Sequence, residues 1–103
     1  MSQVSTHVLD TAAGRPAAGV PVTLESADGV VATATTDADG RISDLGPERL
    51  APGTYRLRFD TGAYAGGAAF FPEVVVAFVV QGDAHLHVPL LLSPFGYSTY
   101  RGS

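Results

Sequence analysis

Cysteine is absent from this chain of 103 residues, which removes disulfides, thiolate nucleophiles and thiolate metal sites together. Lysine is absent as well, so no Schiff base can form, and without asparagine there is no acceptor for ordinary N-glycosylation. Charge is scarce. Charged residues make up 16% of the chain, the net charge is −4, and the six basic residues are all arginines, scattered along the sequence. No basic patch therefore exists to hold nucleic acid or an anionic membrane, and neither is expected as a partner. Apolar runs are short too: the longest, Val74 to Val80, falls far below the roughly 18 residues a membrane span requires. The first residues show no basic segment followed by an apolar one, so a soluble, cytoplasmic chain is expected.

What is present has the punctuation of an all-β protein. Twelve glycines and seven prolines break up short runs of Val, Thr and Leu. With 46% hydrophobic residues, the chain is expected to form one domain, residues 1–103, that buries a sizeable core. Val4 to Leu9 reads as a first strand with Val4 and Val8 inward and Ser5, His7 and Leu9 on the other face. Val20, Val22 and Leu24 alternate in a second, and Ala27-Asp28-Gly29 turns the chain into Val30 to Thr36. The clearest alternation follows Pro52-Gly53, with Tyr55, Leu57 and Phe59 inward and Thr54, Arg56 and Arg58 outward. Asp60-Thr61 caps a short helical turn through Tyr64. A further strand is expected from Phe70 through Val80. About eight strands in two packed antiparallel sheets, a β-sandwich with one short helix, account for the pattern.

The last 19 residues, His85 to Ser103, carry the most chemistry. Leu86, Val88, Leu90 and Leu92 form one apolar face, while His85, His87, Pro89 and Leu91 point the other way. Ser93-Pro94-Phe95-Gly96 supplies a turn, and a strand from Tyr97 to the end of the chain is expected to fold back.

The three histidines, on outward faces, are the only side chains whose ordinary pKa suits general acid–base work near neutral pH. His85-x-His87, completed by His7, would also suit a three-histidine zinc site. Asp83 is the only carboxylate near in sequence to orient such ligands, so a metal-free site without cofactor is the expectation. Asp37-Ala38-Asp39-Gly40-Arg41 lacks the third oxygen donor and closing glutamate of a calcium loop, and reads as a plain turn. No Gly-x-Ser-x-Gly elbow is present, which leaves water as the nucleophile.

The segment from His87 to the terminal Tyr100-Arg101-Gly102-Ser103 resembles the signature of the 5-hydroxyisourate hydrolases, the transthyretin-related enzymes of urate breakdown. Thr6-His7-Val8-Leu9-Asp10, Thr36 to Arg41 and Phe71-Pro72-Glu73-Val74 resemble that family too, so the likeness spans the chain. It implies a transthyretin-like sandwich of eight strands, assembled as a homotetramer whose central channel holds the sites. It implies hydrolysis of 5-hydroxyisourate to 2-oxo-4-hydroxy-4-carboxy-5-ureidoimidazoline by histidine-assisted attack of water on the cyclic amide. His7, Arg41, His87 and Ser103 match the catalytic positions, with His7, Arg41 and Tyr100 on the substrate. His85, Ser98, Arg101 and Gly102 support the motif, and the terminal carboxylate is expected to adjoin the site. The Ala65 to Ala69 region departs from the family in being short and glycine-rich. Two other readings are a small-ligand carrier like transthyretin and a regulatory-like sandwich module, which the Asp39-Gly40 and Pro52-Gly53-Thr54-Tyr55 elements also resemble.

Overall fold

A computed structural model describes residues 2–103, with strands β1 (Val4–Asp10), β2 (Arg15–Pro16), β3 (Pro21–Ser26), β4 (Gly29–Thr35), β5 (Arg41–Ile42), β6 (Gly53–Phe59), β7 (Val74–Val80), β8 (Leu86–Ser93) and β9 (Gly96–Thr99). One helix, α1 (Thr61–Tyr64), lies between β6 and β7, capped by Asp60, whose carboxylate accepts from the Ala63 N–H. The first sheet has the order β2-β1-β8-β9, with β5 also pairing β1, and the second runs β4-β3-β6-β7.

The inward faces interdigitate as alternation requires. Val4 and Val8 of β1 and Leu90 of β8 meet Val22 and Leu24 of β3 and Leu57 and Phe59 of β6 in one buried cluster. The outward face of the first sheet is mostly half-buried or exposed, with Ser5 and Pro89 buried, and the candidate site residues lie on it.

The expected two-sheet sandwich, dominated by antiparallel pairs, is present with one exception, and the limits of two strands are corrected. β1 runs parallel to β8, while every other pairing among the described residues is antiparallel. Side chains alternate with period two in either direction, so the pattern carries no direction; the chain returns to β1 only after building the second sheet. The strand expected from Phe70 begins at Val74. The Phe71 and Pro72 carbonyls are taken by the Thr61 hydroxyl and the Gly62 N–H, which ties this segment to α1 rather than to a ladder. Finally, β9 stops at Thr99, although the register resumes where Gly102 bridges His87. In the continuing register Tyr100 would face Pro89, which has no N–H to give, and the Pro89 carbonyl accepts the Thr99 hydroxyl instead, at 2.7 Å.

Two residues near the start of the chain, unremarked in the sequence, hold the loops at the site's end of the sandwich. Buried Gln3 donates to the Gly82 and Ala84 carbonyls at 2.7 and 3.1 Å and accepts from the Leu50 N–H at 2.7 Å. Ser2 Oγ accepts from the Leu45 N–H at 2.7 Å and donates to the Val4 carbonyl. The segment before His85 is thus fixed by a fully used amide.

Candidate active site

Strand register brings the candidate residues together. His7 pairs with Arg41 across β1 and β5, Ser5 pairs with His87 across β1 and β8, and His87 meets Gly102. Cross-strand partners point to the same side, and Ser5 and His7 are two apart on β1, so Ser5, His7, Arg41 and His87 share the outer face of the first sheet.

Arg41 is placed by the turn before it. Asp37 Oδ1 accepts from the Asp39 and Arg41 N–H groups at 2.9 and 3.0 Å, the hydrogen bonding of a tight turn. Gly40 has φ +73°, and a Cβ there would stand 2.4 Å from the Val8 carbonyl oxygen. Only glycine lets the turn lie this close to β1.

His7 Nε2–H donates to the Asp39 carbonyl at 2.9 Å, since a carbonyl can only accept. In the neutral ring this leaves Nδ1 as a lone pair. Ser5 Oγ stands 2.8 Å from both His85 Nε2 and His87 Nδ1. The His87 pKa is depressed below the usual histidine value, by burial first and then by His7, Arg41 and His85 around it. The ring is therefore held neutral, and with Nδ1 on Ser5 its Nε2 remains for chemistry. Gly102 packs on this ring: a Cβ on Gly102 would meet His87 Cδ2 at 2.6 Å.

Arg41, Ser5, Ser43, His85, His87 and Ser103 line one cleft of ≈ 270 Å³. His7 sits beside Arg41 without lining it. Tyr100 and Arg101 line a second hollow of ≈ 260 Å³ against Val76, Phe78 and Val79 of β7; His87 lines this hollow as well as the cleft, whereas Arg41, His85 and Ser103 line the cleft alone. Ser98 is exposed on β9, opposite Leu91. Among the described residues no three His, Asp or Glu side chains converge on a point where a metal could sit, and Asp83 pairs with Arg49 at 2.6 Å instead of with a histidine. Another hollow, beside α1, contains the Asp10–Tyr64 hydrogen bond of 2.7 Å, a satisfied pair pinning the helix to β1. The imidazole–guanidinium cleft is the candidate site.

The HIUase/Transthyretin family model matches residues 4–102. The chain belongs to the HIUase/Transthyretin family. The 5-hydroxyisourate hydrolase of Caulobacter vibrioides is 49% identical, with all of both chains covered. Among solved structures, that of Klebsiella pneumoniae 5-hydroxyisourate hydrolase superposes with a TM-score of 0.89 at 41% identity, covering 97% of this chain and 98% of that one. Sea bream transthyretin in complex with thyroxine superposes nearly as well, with a TM-score of 0.86 at 36% identity over 97% and 94% of the two chains. Within the HIUase/Transthyretin family the shared sandwich does not separate hydrolase from carrier. The lining must do so, and here imidazole, guanidinium and hydroxyl groups stand beside one aliphatic side chain, Ile42.

Ser5 is the functional candidate that sequence reasoning passed over. It was visible as the residue two before His7 on the outward face, but a lone serine on a strand gives no sign that two imidazoles converge on it from residues 80 and 82 positions away.

Proposed function

We propose that this chain is a 5-hydroxyisourate hydrolase acting in urate degradation. The observation that carries this reading is a neutral, half-buried His87 beside the Arg41 guanidinium in a cleft that Ser5, Ser43 and Ser103 also line, in a chain 49% identical over its whole length to a protein of that name. Hydrolysis of a cyclic amide needs a base for water, a cation for the developing oxyanion and a proton for the leaving nitrogen.

His87 Nε2 takes a proton from water, whose oxygen bonds to the amide carbonyl carbon. Arg41 meets the negative charge that develops on the carbonyl oxygen. The carbon–nitrogen bond then breaks, and His87 returns the same proton to the leaving nitrogen, so that one water is consumed and the ring opens. His7, its Nε2–H spent on Asp39, presents Nδ1 to accept from the water or a substrate N–H. Ser103, at the mouth of the cleft, helps position them. No metal or other cofactor enters this scheme.

The functional assembly in this reading is a homotetramer. Tyr100 stands outside the cleft of its own chain, and β7 and β9 are open sheet edges on the same side of the sandwich. Association through those edges would enclose the site and give Tyr100 a substrate-facing place.

Loss of freshly generated 5-hydroxyisourate, followed by absorbance with and without EDTA, tests the proposal. A rate above spontaneous decay that survives chelation is expected. Activity lost to EDTA and restored by zinc would replace the metal-free mechanism with a three-histidine metal site.

A further inference from the structure

Ser5 is 8% exposed, and its hydroxyl faces two imidazole nitrogens. It lies 2.8 Å from His85 Nε2 and 2.8 Å from His87 Nδ1, and a hydroxyl has one proton to donate and two lone pairs that accept. Accepting from both rings would leave the proton of this buried hydroxyl without an acceptor among the described residues, so with both rings neutral and that proton used, one facing nitrogen carries a proton and the other does not. Two arrangements meet that condition. In the first, His87 Nδ1–H donates to Ser5 Oγ and Ser5 donates to His85 Nε2, leaving His87 Nε2 bare. In the second, the chain runs the other way and His87 Nε2 carries the proton.

We propose that Ser5 is a positioning residue, locking the tautomers of His85 and His87 together so that His85 decides whether His87 can act as a base. This rests on the hydrolase reading above. Only the first arrangement leaves Nε2 free to take a proton from water. When His87 then becomes positively charged, its Nδ1–H still donates to Ser5 and the charge is shared along the chain toward His85, away from Arg41 and His7. His85 is exposed, whereas Ser5 is buried. Solvent therefore reaches the switch at His85: with a proton on His85 Nε2 donated to Ser5, the Ser5 proton has only His87 Nδ1 left to accept it, which puts the His87 proton on Nε2. The charged and titratable groups around His87 are His7 on β1, Arg41 on β5, His85 before β8, and the tail of Tyr100, Arg101 and Ser103 on either side of Gly102. None of these offers Nδ1 another hydrogen bond in the structure.

The first test uses the unaltered protein. Ring-nitrogen NMR spectra, taken where both imidazoles are neutral, should show proton occupancies on His85 Nε2 and His87 Nδ1 that sum to one. Protons on both nitrogens, or on neither, overturn the proposal whatever the enzyme's rate. The second test is kinetic. Ser5→Ala should lower kcat by on the order of 10²-fold with KM little changed, and Ser5→Thr, which keeps the hydroxyl, should restore most of it. The acid limb of the kcat profile should move to lower pH in Ser5→Ala, because His85 no longer controls His87. The Ser5→Ala/His85→Asn double variant should be no slower than Ser5→Ala, since the chain is cut once. A Ser5→Ala enzyme with the wild-type rate and pH profile, beside a dead His87→Asn, would sink the coupling and leave the hydrolase reading standing. Wild-type protein that fails to turn over 5-hydroxyisourate sinks the hydrolase reading, and the nitrogen spectra then decide the coupling alone.

Discussion

At the scale of single residues, the account turns on why His87 is neutral and why its ring stays where it is. Burial and the neighbours His7, Arg41 and His85 hold its pKa below the usual 6.5. As pH falls through that lowered midpoint the base is lost, so the acid limb of kcat/KM should lie below 6.5. His7→Asn removes one source of positive charge and should raise the His87 midpoint in an NMR titration; a midpoint that falls or stays put would contradict the electrostatic explanation. Gly102 is a second single-residue matter. Its φ is unexceptional for any amino acid, and glycine is required there for space alone, because a methyl would strike the His87 ring. Gly102→Ala should therefore cut activity steeply by pushing the imbalance onto the ring, while the melting temperature changes little; the reverse pattern would show that Gly102 serves the fold. The sequence pointed to His7, Arg41 and His87 as candidates and placed a glycine before Ser103. It could not show that Gly102 touches His87, because that contact depends on a register resumed after a break.

At the scale of elements, the strands most legible in the sequence are those with one buried face. β3, β6 and β8 follow their alternation closely, with Val22, Leu24, Leu57, Phe59 and Leu90 all essentially inaccessible. Phe59→Ala should cost roughly 3–5 kcal/mol, measurable by denaturant unfolding, and a loss below 1 kcal/mol would mean that the core is not packed as described. The ends of β7 and β9 were less legible, because hydrogen bonds outside the ladder set them: Thr61 and Gly62 claim the carbonyls before β7, and Pro89 interrupts the partner of β9. The break at Pro89 frees Tyr100 and Arg101 from the sheet before Gly102 rejoins it. A short irregular tail on a rigid strand is a common way to aim functional side chains.

For the molecule as a whole, the two sheets present edge strands β7 and β9, each with one unpaired edge, on one side, with Val79 57%, Phe70 66% and Phe95 80% exposed near them. Such edges invite pairing with a second copy. Light scattering at micromolar concentration should give the mass of four chains of 10.6 kDa each, and a monomer mass would contradict the assembly. The parallel pairing of β1 with β8 is the feature of the whole that the sequence hid, and it is also what sets Ser5 beside His87. The most direct measurement compares intact protein with His87→Asn, both shown to be folded and of equal mass, on freshly generated 5-hydroxyisourate. Intact protein should clear the substrate well ahead of its spontaneous decay, and the variant should fall to near that background. Equal rates from the two proteins, or an intact protein no faster than the spontaneous reaction, would contradict the assignment.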